Sequence, residues 1–230
     1  MNTRVILSFL DDIAKNNTRE WFQDNKKRYL LARTDFEEGV AKAIARIAAF
    51  DPSIAHITVH DTTYRFYRDT RFSPDKSPYK RHLGAYIAAH GKKAFHGGYY
   101  IHLQPGECML ACGCYYLPTQ ILTACRNEIM ANTERWMECV QNTAFLNTFG
   151  EPDSGDPHRG FGLAMLKTCP SGFPRDYEHL RYLRMKDYCC WTYVADDFFE
   201  GDAWLEKMAV VFKTAKPMLD FVNAVIDDYE

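Results

Sequence analysis

The sequence predicts an α+β fold in one domain of residues 1–230, with a central antiparallel β-sheet covered by an N-terminal helical hairpin and C-terminal helices. Three observations predict it. Helical apolar spacing occupies both ends of the chain, alternating or β-rich runs occupy the middle, and short turn sequences separate those runs. Runs of helices around a run of strands are typical of the α+β class.

The first third of the chain predicts two helices. A short one is expected over 5–15, and Asn17 with Glu20 three residues later resembles a capping box that would start a longer one. The Asp51-Pro52 pair should end this second helix, because proline disfavours helical geometry in the residue before it. We expect the two helices to form a hairpin that turns at Asn16-Asn17.

The middle third predicts short strands over 63–67, 83–89, 99–103 and 108–115. The last three of these runs are separated by Gly91-Lys92-Lys93 and by Gln104-Pro105-Gly106-Glu107. Such short connections suit an antiparallel meander.

The last half of the chain predicts helices again. They are expected over 119–132, 133–146 and 177–185, and as one or two helices over 203–228, with one more strand at 190–194 and a polar loop at 150–160.

Composition restricts the class of protein. Hydrophobic residues make up 47% and charged residues 25%, as is usual for a globular protein. The N-terminus is too acidic for a signal peptide and no apolar run approaches membrane-spanning length, so we predict a cytoplasmic protein with no membrane contact. The eight cysteines include no CxxC pair, and phosphate-loop, dinucleotide and zinc-protease motifs are missing, so no metal and no cofactor are predicted.

Positive charge is concentrated in the segment from Arg65 to Arg81, which we call the basic segment. Six cations meet two carboxylates there, giving a net charge of +4 in a chain whose net charge is −2. Guanidinium groups suit a phosphate or carboxylate because their planar donors match its oxygens in pairs. Pro74 and Pro78 restrict the loop, so its cations would be held in place before a ligand arrives.

We therefore predict a binding site for a small anionic ligand that bears phosphate or carboxylate. Asp69 and Asp75 are the candidate acid or base, although the sequence indicates no reaction and no oligomeric state. The predicted ligand-binding residues are Arg65, Tyr67, Arg68, Arg71, Lys76, Tyr79 and Lys80.

The same segment carries a family resemblance. The string Arg65-x-Tyr67-Arg68-Asp69-x-Arg71-Phe72-Ser73-x-Asp75-Lys76-x-Pro78-Tyr79-Lys80 closely resembles the signature of the bacterial and fungal family catalogued as domain of unknown function 2461. The stretches Asn16-Asn17-x-Arg19-Glu20-Trp21-Phe22, Gly98-Tyr99-Tyr100 and Leu183-Arg184-x-Lys186 are also similar to it. The resemblance implies an intracellular, single-domain protein and supplies no catalytic residue.

Two alternatives to a small-ligand site stay open. The basic segment could belong to an interaction module that docks on a nucleic-acid backbone or an acidic protein surface, although a pI near 6.4 argues against broad nucleic-acid affinity. Its charges could instead form a structural ion network with carboxylates of the same chain, because charge networks occur for both reasons.

Overall fold

The computed structural model describes residues 1–229 and confirms the α+β class. The strands are β1 (Leu83–Ile87), β2 (Gly98–Leu103), β3 (Met109–Cys114), β4 (Arg159–Phe161) and β5 (Tyr188–Tyr193). They form a five-stranded antiparallel sheet in the order β1-β2-β3-β5-β4. The predicted meander is thus present as three neighbouring strands, β1, β2 and β3.

The helices are α1 (Thr3–Lys15), α2 (Arg19–Asp24), α3 (Lys26–Ala48), α4 (Val59–Thr62), α5 (Thr119–Ala131), α6 (Thr133–Val140), α7 (Thr143–Phe149), α8 (Leu180–Leu183) and α9 (Trp204–Tyr229). The predicted C-terminal helical region is one continuous helix that includes Pro217. None of the described helices combines the length and the apolar character needed to cross a bilayer.

The chain divides into two compact units. Unit 1 comprises Met1–Lys92, Tyr100–Leu110 and Tyr193–Ala209, and unit 2 comprises Lys93–Tyr99, Ala111–Thr192 and the residues from Val210 onward. That residues 1–230 act as a single domain stays a prediction.

Unit 1 is built around the packing of α1 on α3. The buried residues of α1 include Ile6, Phe9, Leu10 and Ile13, whose spacing places them on one face of the helix. Asn2 caps this helix by accepting a hydrogen bond from the backbone N–H of Val5.

The start of the next helix differs from the prediction by one residue. Thr18, rather than Asn17, is the N-cap of α2, and its hydroxyl accepts from the backbone N–H of Trp21 at 3.2 Å. The Asn17 side chain instead bonds to the backbone of Tyr79. A break at Asn25 then separates α2 from α3.

The predicted strand at 63–67 is wrong, because this stretch makes only isolated bridges, Thr63 to Ala85 and Tyr67 to Tyr79. The ladder beside Tyr67 and Tyr79 is weakened because Pro78 has no N–H to donate, so Arg68 and Pro78 share one backbone hydrogen bond instead of two.

Unit 2 contains the short strand β4, which the sequence did not predict. It pairs antiparallel with β5, with Gly160 opposite Trp191. A Cβ atom at Gly160 would overlap the Trp191 indole, so glycine is needed for this close approach. An aromatic cluster adjoins β4, where the buried Trp136 contacts Phe161 and Tyr188.

Candidate functional site

Residues 66–80 of the basic segment form a hairpin that aromatic side chains fix to the rest of unit 1. Phe66 and Tyr79 are 3% and 1% exposed. Tyr79 stacks on Phe22 with ring centroids 4.1 Å apart, and Phe66 lies 4.9 Å from the ring of Tyr29. Backbone bonds from Arg68 N to Pro78 O (2.9 Å) and from Lys80 N to Phe66 O (3.0 Å) close the hairpin.

Asn17 holds one arm of this hairpin. Its amide nitrogen donates to the carbonyl of Tyr79 and its amide oxygen accepts from the N–H of Tyr79, both at 3.0 Å. Burial, aided by a hydrogen bond with Tyr67, raises the pKa of Tyr79 to about 12. Tyr79, one of the predicted ligand-binding residues, therefore lies in the core of the hairpin, whereas Tyr67 is half exposed.

Arg68 is the centre of a polar network inside the hairpin. Its Nη1 donates to Asp75 at 2.6 Å, to the Ser77 hydroxyl at 2.6 Å and to the Ser77 carbonyl at 3.1 Å, while Nη2 donates to the Ser73 hydroxyl at 3.3 Å. The Ser77 hydroxyl and N–H, followed by Arg68, hold the pKa of Asp75 well below its usual range. The network joins residues 68, 73, 75 and 77 in one hydrogen-bonded turn.

A second pair lies at the exposed end of the hairpin. Arg71 binds Asp69 through two parallel hydrogen bonds of 3.0 and 2.7 Å, and its N–H donates to the same carboxylate at 3.2 Å. Hydrogen bonds from Arg71 lower the pKa of Asp69. Lys76 donates to the carbonyl of Thr70 at 2.9 Å.

The structure thus pairs the predicted cations Arg68 and Arg71 with the predicted acid–base candidates Asp75 and Asp69. A carboxyl whose pKa is lowered stays ionised at neutral pH, which suits an anchor for arginine better than a proton donor. An acid or base role for either aspartate stays a prediction.

Two cations of the basic segment are arranged differently. Neither Arg65 nor Lys80 forms an ion pair with any carboxylate of residues 1–229. The Lys80 ammonium lies 5.0 Å from the ring centre of Tyr64, and Lys92 lies 5.3 Å from the same ring. Burial, followed by the nearby charge of Arg65, lowers the pKa of Lys80.

Two histidines and a tyrosine adjoin these cations. The rings of His82 and His102 are 4.5 Å apart, and the Tyr100 hydroxyl lies 2.9 Å from Nδ1 of His102. Alternation along β2 places Tyr100 and His102 on one side, while Ile101 and Leu103 between and after them are fully buried. We call Tyr64, Lys80, His82, Tyr100 and His102 the polar face of unit 1.

Burial determines the protonation of this polar face. Burial, followed by the charge effects of His102 and Lys80, lowers the pKa of His82 to about 4. Burial also lowers the pKa of His102 and raises that of Tyr100. At neutral pH both imidazoles are therefore uncharged and the phenol keeps its proton, so the face offers one ammonium group and several neutral hydrogen-bonding groups.

The sequence prediction included Lys80 but missed the other members of the polar face. The available signal was a spacing of two, from Lys80 to His82 and from Tyr100 to His102, which places each pair on one side of an extended chain. Bringing the two pairs together depends on a sheet register that the sequence does not show.

A family model described as a conserved hypothetical protein, DUF2461, matches residues 5–221. No curated protein and no solved structure matches the chain.

Proposed function

The chain belongs to the DUF2461 family, and we propose that it binds a small anionic ligand bearing phosphate or carboxylate where the basic segment meets the polar face. One observation carries the proposal. Lys80 is partly buried, its pKa is lowered by burial, and no described carboxylate is paired with it. A cation that has lost water without gaining a counter-charge is stabilised by an incoming anion, because the anion supplies the counter-charge and replaces the lost hydrogen bonds to water.

The neighbouring groups support an anion at this position. Arg65 adds a second cation without an ion pair among the described residues, and its charge already acts on Lys80. The neutral ring of His82 would donate a hydrogen bond without the cost of burying more charge, and so would one member of the bonded pair Tyr100 and His102, according to the tautomer of His102.

The other predicted residues take supporting roles in this proposal. Arg68 and Asp75 fix the shape of the hairpin through their shared network with Ser77. Tyr79 anchors it in the core, and Lys76 adds a positive charge at its exposed end, where Arg71 is paired with Asp69. The ligand would thus meet a preorganised surface, which reduces the ordering cost of binding.

Thermal unfolding tests the proposal. Inorganic phosphate, pyrophosphate and citrate should each raise the melting temperature of the wild type relative to chloride at equal ionic strength, because a ligand that binds only the folded state stabilises it. The shift should disappear in Lys80→Met and persist in the control Lys42→Met, which removes an exposed lysine of α3 outside the basic segment. Equal shifts in the two variants, or none in the wild type, would overturn the proposal.

A second candidate function rests on Phe72, which is 96% exposed beside the guanidinium of Arg71. An exposed aromatic ring with cations suits an interaction module that docks on a nucleic-acid backbone or an acidic protein surface. Oligonucleotide binding with a steep salt dependence, abolished by Phe72→Ser, would favour this candidate. Small-anion binding should be unchanged by Phe72→Ser.

We also propose a reducing compartment such as the cytoplasm as the site of action. All eight cysteines are free, and seven of them are buried. Free thiols in this number are typical of proteins kept under reducing conditions.

A further inference from the structure

Unit 2 contains a cavity of about 770 Å³ that the proposed function does not use. Its volume lies in the range of sites that hold small organic molecules. Much of its lining is apolar or aromatic, including Leu117, Leu122, Leu166 and Pro170 together with Tyr115 and Tyr116. The two tyrosines are 74% and 71% exposed, so the cavity is bordered by accessible rings.

Arg126 of α5 lines this cavity although it is only 5% exposed. Its one hydrogen bond among the described residues runs from Nη2 to the carbonyl of Met185 at 3.0 Å. Nε is buried and has no hydrogen-bond partner within residues 1–229. The guanidinium carbon lies 6.0 Å from the ring centre of Phe173.

No carboxylate of the described chain forms an ion pair with Arg126, although Asp187 lines the same cavity. The oxygens of Asp187 instead accept backbone N–H groups from Leu163, Ala164 and Cys189 at 3.0 to 3.2 Å. Lys186 is the other charged lining residue and is exposed. Two cations and one carboxylate therefore line the cavity, leaving one positive charge without a counterpart.

A buried arginine normally has a carboxylate or another dense set of acceptors, because an unpaired charge in a desolvated site is unfavourable. Arg126 Nη1 makes no hydrogen bond to the described residues and Nε is also without a partner, so the guanidinium has unused donors for a carboxylate. The surrounding leucines, proline and tyrosines suit an apolar or aromatic body. A single excess charge matches a monoanion better than a phosphate dianion.

We propose that the cavity of unit 2 binds a small monocarboxylate with an apolar or aromatic body, whose carboxylate pairs with Arg126. The body would lie against Tyr115, Tyr116 and the leucines of the lining. This site is independent of the basic segment, and neither proposal requires the other.

Benzoate and benzamide provide the matched probes, since they share a ring and differ in charge. In equilibrium binding followed by ligand-observed NMR, benzoate should bind the wild type at least about tenfold more tightly than benzamide, consistent with a charge-assisted hydrogen bond. Arg126→Met should remove this preference. The control Arg175→Met, which changes an exposed arginine of unit 2 outside the cavity lining, should keep it.

Cys169 provides a second measurement on the unmodified chain, because this thiol lines the cavity and is partly exposed. Benzoate should slow its alkylation by iodoacetamide, and benzamide at the same concentration should not. This comparison tests whether the cavity prefers a carboxylate even if Arg126→Met fails to fold.

Equal affinity for the two probes, or no benzoate binding at millimolar concentration, would overturn the inference. Benzoate binding that is lost in Lys80→Met but kept in Arg126→Met would assign the carboxylate to the basic segment, and would overturn it as well. Loss of phosphate binding in Lys80→Met with benzoate binding intact would support two separate sites.

Discussion

His82 should make the stability of the protein depend on pH in a defined window. Its pKa is 6.5 in an ordinary, exposed environment and about 4 in the folded protein, because the ring is partly buried beside His102 and Lys80. Between these two values the unfolded chain binds a proton that the folded chain does not. Stability is therefore complete above pH 6.5 and is lost as the pH falls toward 4.

The magnitude follows from the interval between the two pKa values. From 6.5 to about 4 is roughly 2.5 pH units, and each unit corresponds to about 1.36 kcal/mol. The ring is not completely enclosed, so we expect about 2–3 kcal/mol of unfolding free energy to be lost across the window. His102 adds to the loss in the same direction, because burial lowers its pKa too.

The assay is urea unfolding at closely spaced pH values from 4 to 7, with His82→Gln compared with the wild type. The variant keeps a polar side chain but cannot titrate, so its stability should fall by about 2–3 kcal/mol less than that of the wild type across the window. His158→Gln is the matched control, because His158 is exposed. It should retain the full pH dependence.

The test of the His82 pKa is the change of unfolding free energy with pH, rather than the unfolding free energy at one pH. His82→Gln leaves an amide in a partly buried place and will lower stability somewhat at every pH. If wild type and His82→Gln lose the same free energy between pH 6.5 and pH 4, to within about 0.5 kcal/mol, then folding does not lower the pKa of His82. The protonation states assigned to the polar face would then also be wrong.

Two further predictions concern the hairpin and the thiols. Asn17→Ala should lower the unfolding free energy by about 2–4 kcal/mol in urea titrations, because it leaves the N–H and carbonyl of Tyr79 without their partners. A loss below about 1 kcal/mol would contradict this, because it would show that water replaces the amide. A colorimetric thiol reagent should modify at most Cys169 quickly in the folded protein, and all eight thiols in urea. The other seven thiols are buried, and burial raises the pKa of thiols such as Cys112 and Cys190, so they react slowly until the chain unfolds. Rapid modification of two or more thiols before unfolding would contradict this burial.

The sequence predicts the parts of the fold that depend on long periodic runs. Strands β1, β2 and β3 and helices α1 and α9 lie within a few residues of their predicted positions, because alternation and helical spacing extend over enough residues to be recognised. β4 has only three residues, and its glycine is required by the Trp191 side chain that packs against it. A contact of that kind leaves no periodic signal.

The basic segment shows a different limit of sequence analysis. Its excess of cations can be counted, but the pairing of Arg68 with Asp75 and Ser77 depends on how the hairpin folds back. The position of Asn17 likewise suggests a helix cap, whereas its amide bonds to Tyr79, 62 residues away. Local patterns cannot show such long-range competition for a side chain.

Counting charges and following their partners in the structure draw attention to different cations of the basic segment. Arg68 and Arg71 are paired with the two carboxylates of the segment, so its excess charge is carried by the other four cations. An anion gains most at cations that have lost water and gained no counter-charge, because there it replaces a missing interaction instead of competing with an existing one. Lys80 meets that condition in unit 1 and Arg126 meets it in unit 2. The number of positive charges in a segment is thus a weaker guide to an anion site than the presence of one partly buried cation that the described chain leaves unpaired.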